Sequence, residues 1–142
     1  MEKGYTEDQI ETIAEEVLQV LTPSDTGATV LALQGDLGAG KTTLTKALSK
    51  KLGVAETVIS PTFVIAKFYD PVDSPFDQLV HIDAYRIESN DELKPLGWEN
   101  ILAQPKTLVI VEWPERIREA LPSDRYHFFI SHDGDQRTIK KM

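Results

Sequence analysis

At 142 residues the chain has the size of one domain, and its 41% hydrophobic content is enough for one core. It contains no cysteine, which excludes disulfides, thiolate metal sites and cysteine nucleophiles. Fifteen basic against twenty-three acidic residues give a net charge of −8, a sign that repels phosphate backbones and argues against stable direct binding of nucleic acid. No apolar run approaches the ~18 residues of a membrane span. The first nine residues are polar and acidic rather than signal-like, so no membrane association and a cytoplasmic location are expected.

No internal repeat or linker divides the chain, and a single domain over 1–142 is the expected organisation. Thr6 and Gln9 form a capping-box pattern, followed by Ile10, Ile13, Val17, Leu18 and Leu21 at helical spacing; this predicts an amphipathic helix ending before Pro23. Thr29 to Leu33 is a nearly unbroken apolar run, as in a strand buried on both faces. Gly35 to Gly40 interrupts it, and Thr42 to Leu52 reads as a helix stopped by Gly53. Phe63 to Tyr69 and Leu79 to Asp83 are predicted strands separated by a turn-rich stretch. Ser89 and Glu92 repeat the capping-box pattern before a short helix. Thr107 to Val111 is the most apolar predicted strand, and Pro114 is placed to open a helix reaching Leu121. Tyr126 to Ser131 and Thr138 to Lys140 flank an Asp-Gly turn and predict a terminal hairpin. The alternation predicts an α/β fold of P-loop NTPase type, a mostly parallel sheet flanked by helices and bordered by antiparallel strands.

Gly35-Asp36-Leu37-Gly38-Ala39-Gly40-Lys41-Thr42 satisfies G-x-x-x-x-G-K-[ST] at every position. Glycines let the backbone wrap its N–H groups around a phosphate without a Cβ in the way. The helix that follows offers its free N–H groups and positive dipole end to the same anion. The motif therefore predicts binding of ATP with Mg2+: Lys41, expected to be exposed, reaches the β- and γ-phosphates, and the Thr42 hydroxyl holds the metal. Two carboxylates ending apolar strands, Glu112 and Asp83, are candidates for the metal side. Thr62, in Ser60-Pro61-Thr62, is either a turn residue or a sensor of the γ-phosphate. His81, His127 and His132 lack metal-ligand spacing and read as structural; Trp113 is core or a lid. No [NT]-K-x-D sequence is present to read guanine, which disfavours GTP. A small-molecule kinase and a nucleotide-gated binding module are the remaining rivals.

Four segments stand in order: Leu33 to Leu44, Ser60 to Phe63, His81-Ile82-Asp83-Ala84-Tyr85-Arg86, and Glu112-Trp113-Pro114-Glu115-Arg116-Ile117. Together they resemble the bacterial TsaE (YjeE) family over essentially the whole chain. The resemblance implies a small P-loop domain with slow ATP hydrolysis, coupled to a complex of TsaD and TsaB that makes threonylcarbamoyladenosine in tRNA. It implies that Thr42 and Glu112 stand at the magnesium positions, Lys41 at the phosphate lysine and Thr62 at a switch-like threonine. Asp83 matches the acidic residue of H-x-D-x-Y-R. Gly35, Asp36, Leu37, Gly38, Ala39, Gly40, Lys41, Thr42 and Thr43 form the nucleotide loop. Gly134-Asp135-Gln136-Arg137 resembles the family's closing G-x-x-R, which implies Arg137 near the base. An acidic chain serving a tRNA-modifying enzyme is expected to act through protein partners and to leave RNA contact to them.

Overall fold

A computed structural model describes residues 2–36, 38–56, 58 and 65–142. Among them seven strands form one sheet in the order β1-β7-β6-β2-β5-β4-β3. The strands are β1 (Glu2–Tyr5), β2 (Thr29–Gly35), β3 (Ala66–Tyr69), β4 (Gln78–Asp83), β5 (Thr107–Glu112), β6 (Tyr126–Asp133) and β7 (Gln136–Lys141). The helices are α1 (Ile10–Val20), α2 (Lys41–Lys51) and α3 (Trp98–Ala103). β6, β2, β5 and β4 run parallel, and antiparallel β1, β7 and β3 complete the two edges. The expected fold class is the one observed.

The apolar runs of β2 and β5 are buried on both faces, as strands in the middle of a helix-covered parallel sheet must be. Alternate residues point to opposite sides. Leu31, Leu33, Leu79, Leu108, Ile110 and Phe128 pack with Ile13, Val17, Leu44 and Leu48 of α1 and α2. Val30, Val80, Ile82, Val109 and Val111 pack instead with Trp98 and Ile101 of α3 and with Ile117. The Trp98 indole N–H donates to the Ala120 carbonyl at 2.9 Å and ties α3 to the segment after β5.

Several expectations required correction. β1 was not foreseen; Glu-Lys-Gly-Tyr buries only Tyr5 and takes its conformation from pairing with β7. The capping box at Ser89 is present, but it opens a 3₁₀ segment, Asn90–Leu96, because Pro95 lacks the N–H that an α-helical ladder needs. α3 begins only after Gly97. The helix expected from Pro114 is two 3₁₀ turns, Pro114–Arg116 and Arg118–Ala120. Ile117 breaks the ladder between them at φ −132°, with its side chain fully buried in the core. Of the strand expected over Phe63 to Tyr69, β3 is the observed part; Phe63 and Val64 lie outside the described residues.

Leu48 stands at the centre of the face between α2 and the sheet and is fully buried. Leu48→Ala should lower the free energy of unfolding by about 2–5 kcal/mol in a urea titration. A loss of a few tenths would show that α2 is not packed as described.

Candidate functional site

The parallel strands β2, β5 and β4 end together, and their carboxyl ends open into one cavity of about 310 Å³. Gly38, Gly40, Lys41, Thr42 and Thr43 line one side of it. Asp83, Tyr85, Glu112, Trp113 and Arg137 line the rest. The glycine-rich loop leaves β2 at Gly35, turns through Asp36, whose carbonyl accepts from Ala39 N–H at 3.0 Å, and enters α2 at Lys41. Gly40, at φ 104°, precedes the first turn of α2, and no side chain caps that turn. Its N–H groups and the positive end of the helix dipole are thereby available to an anion.

Lys41 is not the exposed loop residue the motif implied. It is 5% exposed, and its ammonium donates to the Gly35 carbonyl at 2.5 Å and the Asp36 carbonyl at 3.0 Å. The same ammonium lies 4.2 Å from the centre of the Trp113 ring, which packs in turn on Tyr85 at 5.0 Å. Burial pushes the Lys41 ammonium below the usual lysine range, and the carboxylates of Glu112, Glu115, Asp83 and Asp36 pull it back. Trp113 is held at φ 58°, a left-handed conformation uncommon for a bulky residue, and this bend turns the chain away immediately after Glu112. Trp113 is therefore a wall of the cavity.

Glu112 and Asp83 face each other in the β4–β5 register and are 2% and 6% exposed. The Thr42 hydroxyl donates to Glu112 Oε1 at 2.8 Å, which brings together two of the predicted metal-side groups. Asp83 Oδ1 accepts from Tyr85 N–H at 3.0 Å, and the Asp83 N–H donates to the Ile65 carbonyl at 2.9 Å. Among the described residues no group of three His, Asp or Glu side chains is arranged to hold a metal. The oxygen pair of Thr42 and Glu112 fits magnesium, which keeps most of its waters and takes one or two protein ligands beside phosphates.

Arg137 comes from β7, far along the sequence, and its guanidinium packs on Gly40 so closely that a Cβ there would collide with Nη1. Its Nε and Nη1 are buried with no hydrogen-bond partner among the described residues, so a cation with donors to offer stands beside the loop. Ala39 is buried under the loop, while Thr43 reaches the cavity from the first turn of α2. Leu37 and Thr62 lie outside the described residues.

The three histidines separate. His127 bonds Gln34 Oε1 at 2.8 Å, and burial lowers its basicity; this fits the structural role expected of it. His132 is exposed near the β6–β7 turn. His81, also taken as structural, contacts Glu112 Oε2 through Nε2 and belongs to the site. The signal was the H-x-D spacing on a strand, which sets His81 and Asp83 on one face.

Gly40→Ala would put a Cβ on a left-handed residue and into Arg137. It should cost about 1–3 kcal/mol of stability in a denaturant titration. Adding Arg137→Ala should recover the part due to the collision; a Gly40→Ala chain as stable as wild type would contradict this loop geometry.

The family model described as "Threonylcarbamoyl adenosine biosynthesis protein TsaE" matches residues 5–139. A Bacillus subtilis relative named tRNA threonylcarbamoyladenosine biosynthesis protein TsaE is 43% identical over 106 residues, which is 75% of this chain and 63% of that protein. A Streptomyces coelicolor protein of the same name is 45% identical over 98 residues, 68% of this chain and 64% of that protein. The matched segment thus spans a little under two thirds of these relatives' own length. The crystal structure of YdiB from Bacillus subtilis superposes with a TM-score of 0.77 at 31% identity, covering 99% of this chain and 83% of that one. By family model, by relatives and by fold, the chain belongs to the TsaE family, named for threonylcarbamoyl adenosine biosynthesis.

Proposed function

We propose that this chain binds ATP with Mg2+ in the cavity at the carboxyl ends of β2, β5 and β4, and hydrolyses it slowly in support of tRNA threonylcarbamoyladenosine synthesis by TsaD and TsaB. The observation that carries the reading is the Thr42–Glu112 hydrogen bond at the mouth of the glycine-rich loop. It joins a hydroxyl and a buried carboxylate beside an uncapped helix terminus, the combination that a metal–triphosphate requires.

In this reading the loop N–H groups and the N-terminus of α2 hold the phosphates. Lys41 exchanges its bonds to the Gly35 and Asp36 carbonyls for the β- and γ-phosphates. The Thr42 hydroxyl keeps its proton and donates it to Glu112 Oε1, which leaves an oxygen lone pair for magnesium. Bound magnesium supplies charge neutralisation on the phosphate oxygens. Asp83, across from Glu112, orients the attacking water. Arg137 supplies positive charge on the Gly40 side of the nucleotide. Trp113 and Tyr85 wall the reacting end from bulk solvent.

The cation supply at the reacting end supports slow turnover. Arg116 and Arg118 line a surface depression with Glu88, Glu115 and Glu119 and are not among the residues that line the cavity. Among the described residues the cavity is lined by one arginine, Arg137, on the Gly40 side, and P-loop hydrolysis without an arginine at the γ-phosphate runs typically ~10³–10⁵ slower. The same shortage counts against a phosphotransferase, which needs cations to clamp a transferring phosphoryl group.

A steady-state phosphate-release assay with and without the purified TsaD–TsaB pair tests this. Hydrolysis by the chain alone should be slow, rise at least tenfold with the pair, and vanish with Lys41→Ala. Fast turnover of the isolated chain, or the same rate with Lys41→Ala, would contradict the proposal.

A further inference from the structure

His81 is fully buried on β4, yet the chemistry above does not employ it. In the β4–β5 register it stands opposite Ile110, one step back from the Asp83–Glu112 pair. His81 and Glu112 are thus diagonal neighbours on the sheet face that α2 covers, within reach for long side chains. The two oxygens of Glu112 are divided: Oε1 accepts from the Thr42 hydroxyl at 2.8 Å, and Oε2 meets His81 Nε2. His81 Nδ1 is buried with no hydrogen-bond partner among the described residues.

That idle nitrogen is informative. An ionised carboxylate accepts only, so Nε2 carries the proton in this contact. An apolar side chain would fill this place without the cost of a buried unsatisfied nitrogen. Among the described residues the polar ring has one hydrogen-bond partner, Glu112. Without it, the second oxygen of a carboxylate that is 2% exposed would have no donor among the described residues, and the side chain would be free to turn away from Thr42.

We infer that His81 is a positioning residue, whose Nε2–H clamps Glu112 Oε2 and so holds Oε1 toward Thr42 and the cation site beside it. This rests on the proposed role of Glu112 in binding magnesium. Groups that orient metal ligands from behind are worth about 10–100-fold in metal affinity.

The test uses the full chain, with a fluorescent ATP analogue bound at increasing Mg2+ and thermal unfolding followed alongside. His81→Leu should raise the half-saturating Mg2+ about 10–100-fold. His81→Gln, whose amide nitrogen can replace the Nε2 donor, should stay close to wild type. Glu112→Gln serves as the reference and should shift the Mg2+ midpoint itself. If Glu112→Gln shifts it and His81→Leu does not, the inference about His81 is overturned while the magnesium reading stands. If Glu112→Gln leaves it unmoved, the magnesium reading falls and this inference with it. A purely packing role would lower the unfolding temperature of His81→Leu without moving the Mg2+ midpoint. Should His81→Leu fail to fold, His81→Gln decides: a midpoint displaced as far as that of Glu112→Gln overturns the inference.

Discussion

A carboxylate buried between a sheet and a helix is unstable unless its oxygens are occupied, and the site of this protein is organised around that demand. Glu112 ends the most apolar strand, where two-sided burial leaves almost no water to solvate it. Thr42 from the first turn of α2 and His81 from the neighbouring strand provide its donors. Each comes from a different element, so the register of β4 on β5 and the seating of α2 on the sheet both enter the geometry. The packing of Leu44 and Leu48 against Leu31, Leu33 and Leu108 thus acts on the chemistry through the place it gives to Thr42.

The loop and its surroundings concentrate backbone strain and buried charge. Gly40 is left-handed, Trp113 is left-handed, and Arg137 lies on the loop with two buried donors that have no partner among the described residues. Lys41 turns inward onto the Gly35 and Asp36 carbonyls and the Trp113 ring. An entering polyanion would relieve several of these conditions at once, since unspent donors beside an uncapped helix terminus are costly without a ligand.

How much of this was legible in the sequence followed from range. The loop motif is local: its glycines, lysine and threonine lie within eight residues, and the strand before it and helix after it are read from adjacent periodicity. β5 and Glu112 were legible because a run apolar on both faces ends abruptly in a charge. The contact of His81 with Glu112 was only half legible: the H-x-D spacing sets His81 on the face of Asp83, but which strand lies beside it is decided by the pairing of β4 with β5. β1 was missed because three of its four residues are exposed and its order comes from β7. The helix expected after Pro114 failed on a tertiary demand, the burial of Ile117, which outweighed a favourable first turn. Arg137 was placed near a nucleotide by resemblance alone; its seat on Gly40 depends on the β6–β7 hairpin folding back along β2.

The central claim is that the cavity beside Gly38 to Thr43 receives a magnesium triphosphate. The most direct measurement is a crystal structure of the chain with Mg2+ and a non-hydrolysable ATP analogue. The account predicts the β- and γ-phosphates within the loop, Lys41 turned from the Gly35 carbonyl toward them, and the metal beside Thr42 Oγ1 on the Glu112 side. A nucleotide bound elsewhere, or Lys41 still on the Gly35 carbonyl with the analogue at saturation, would contradict it.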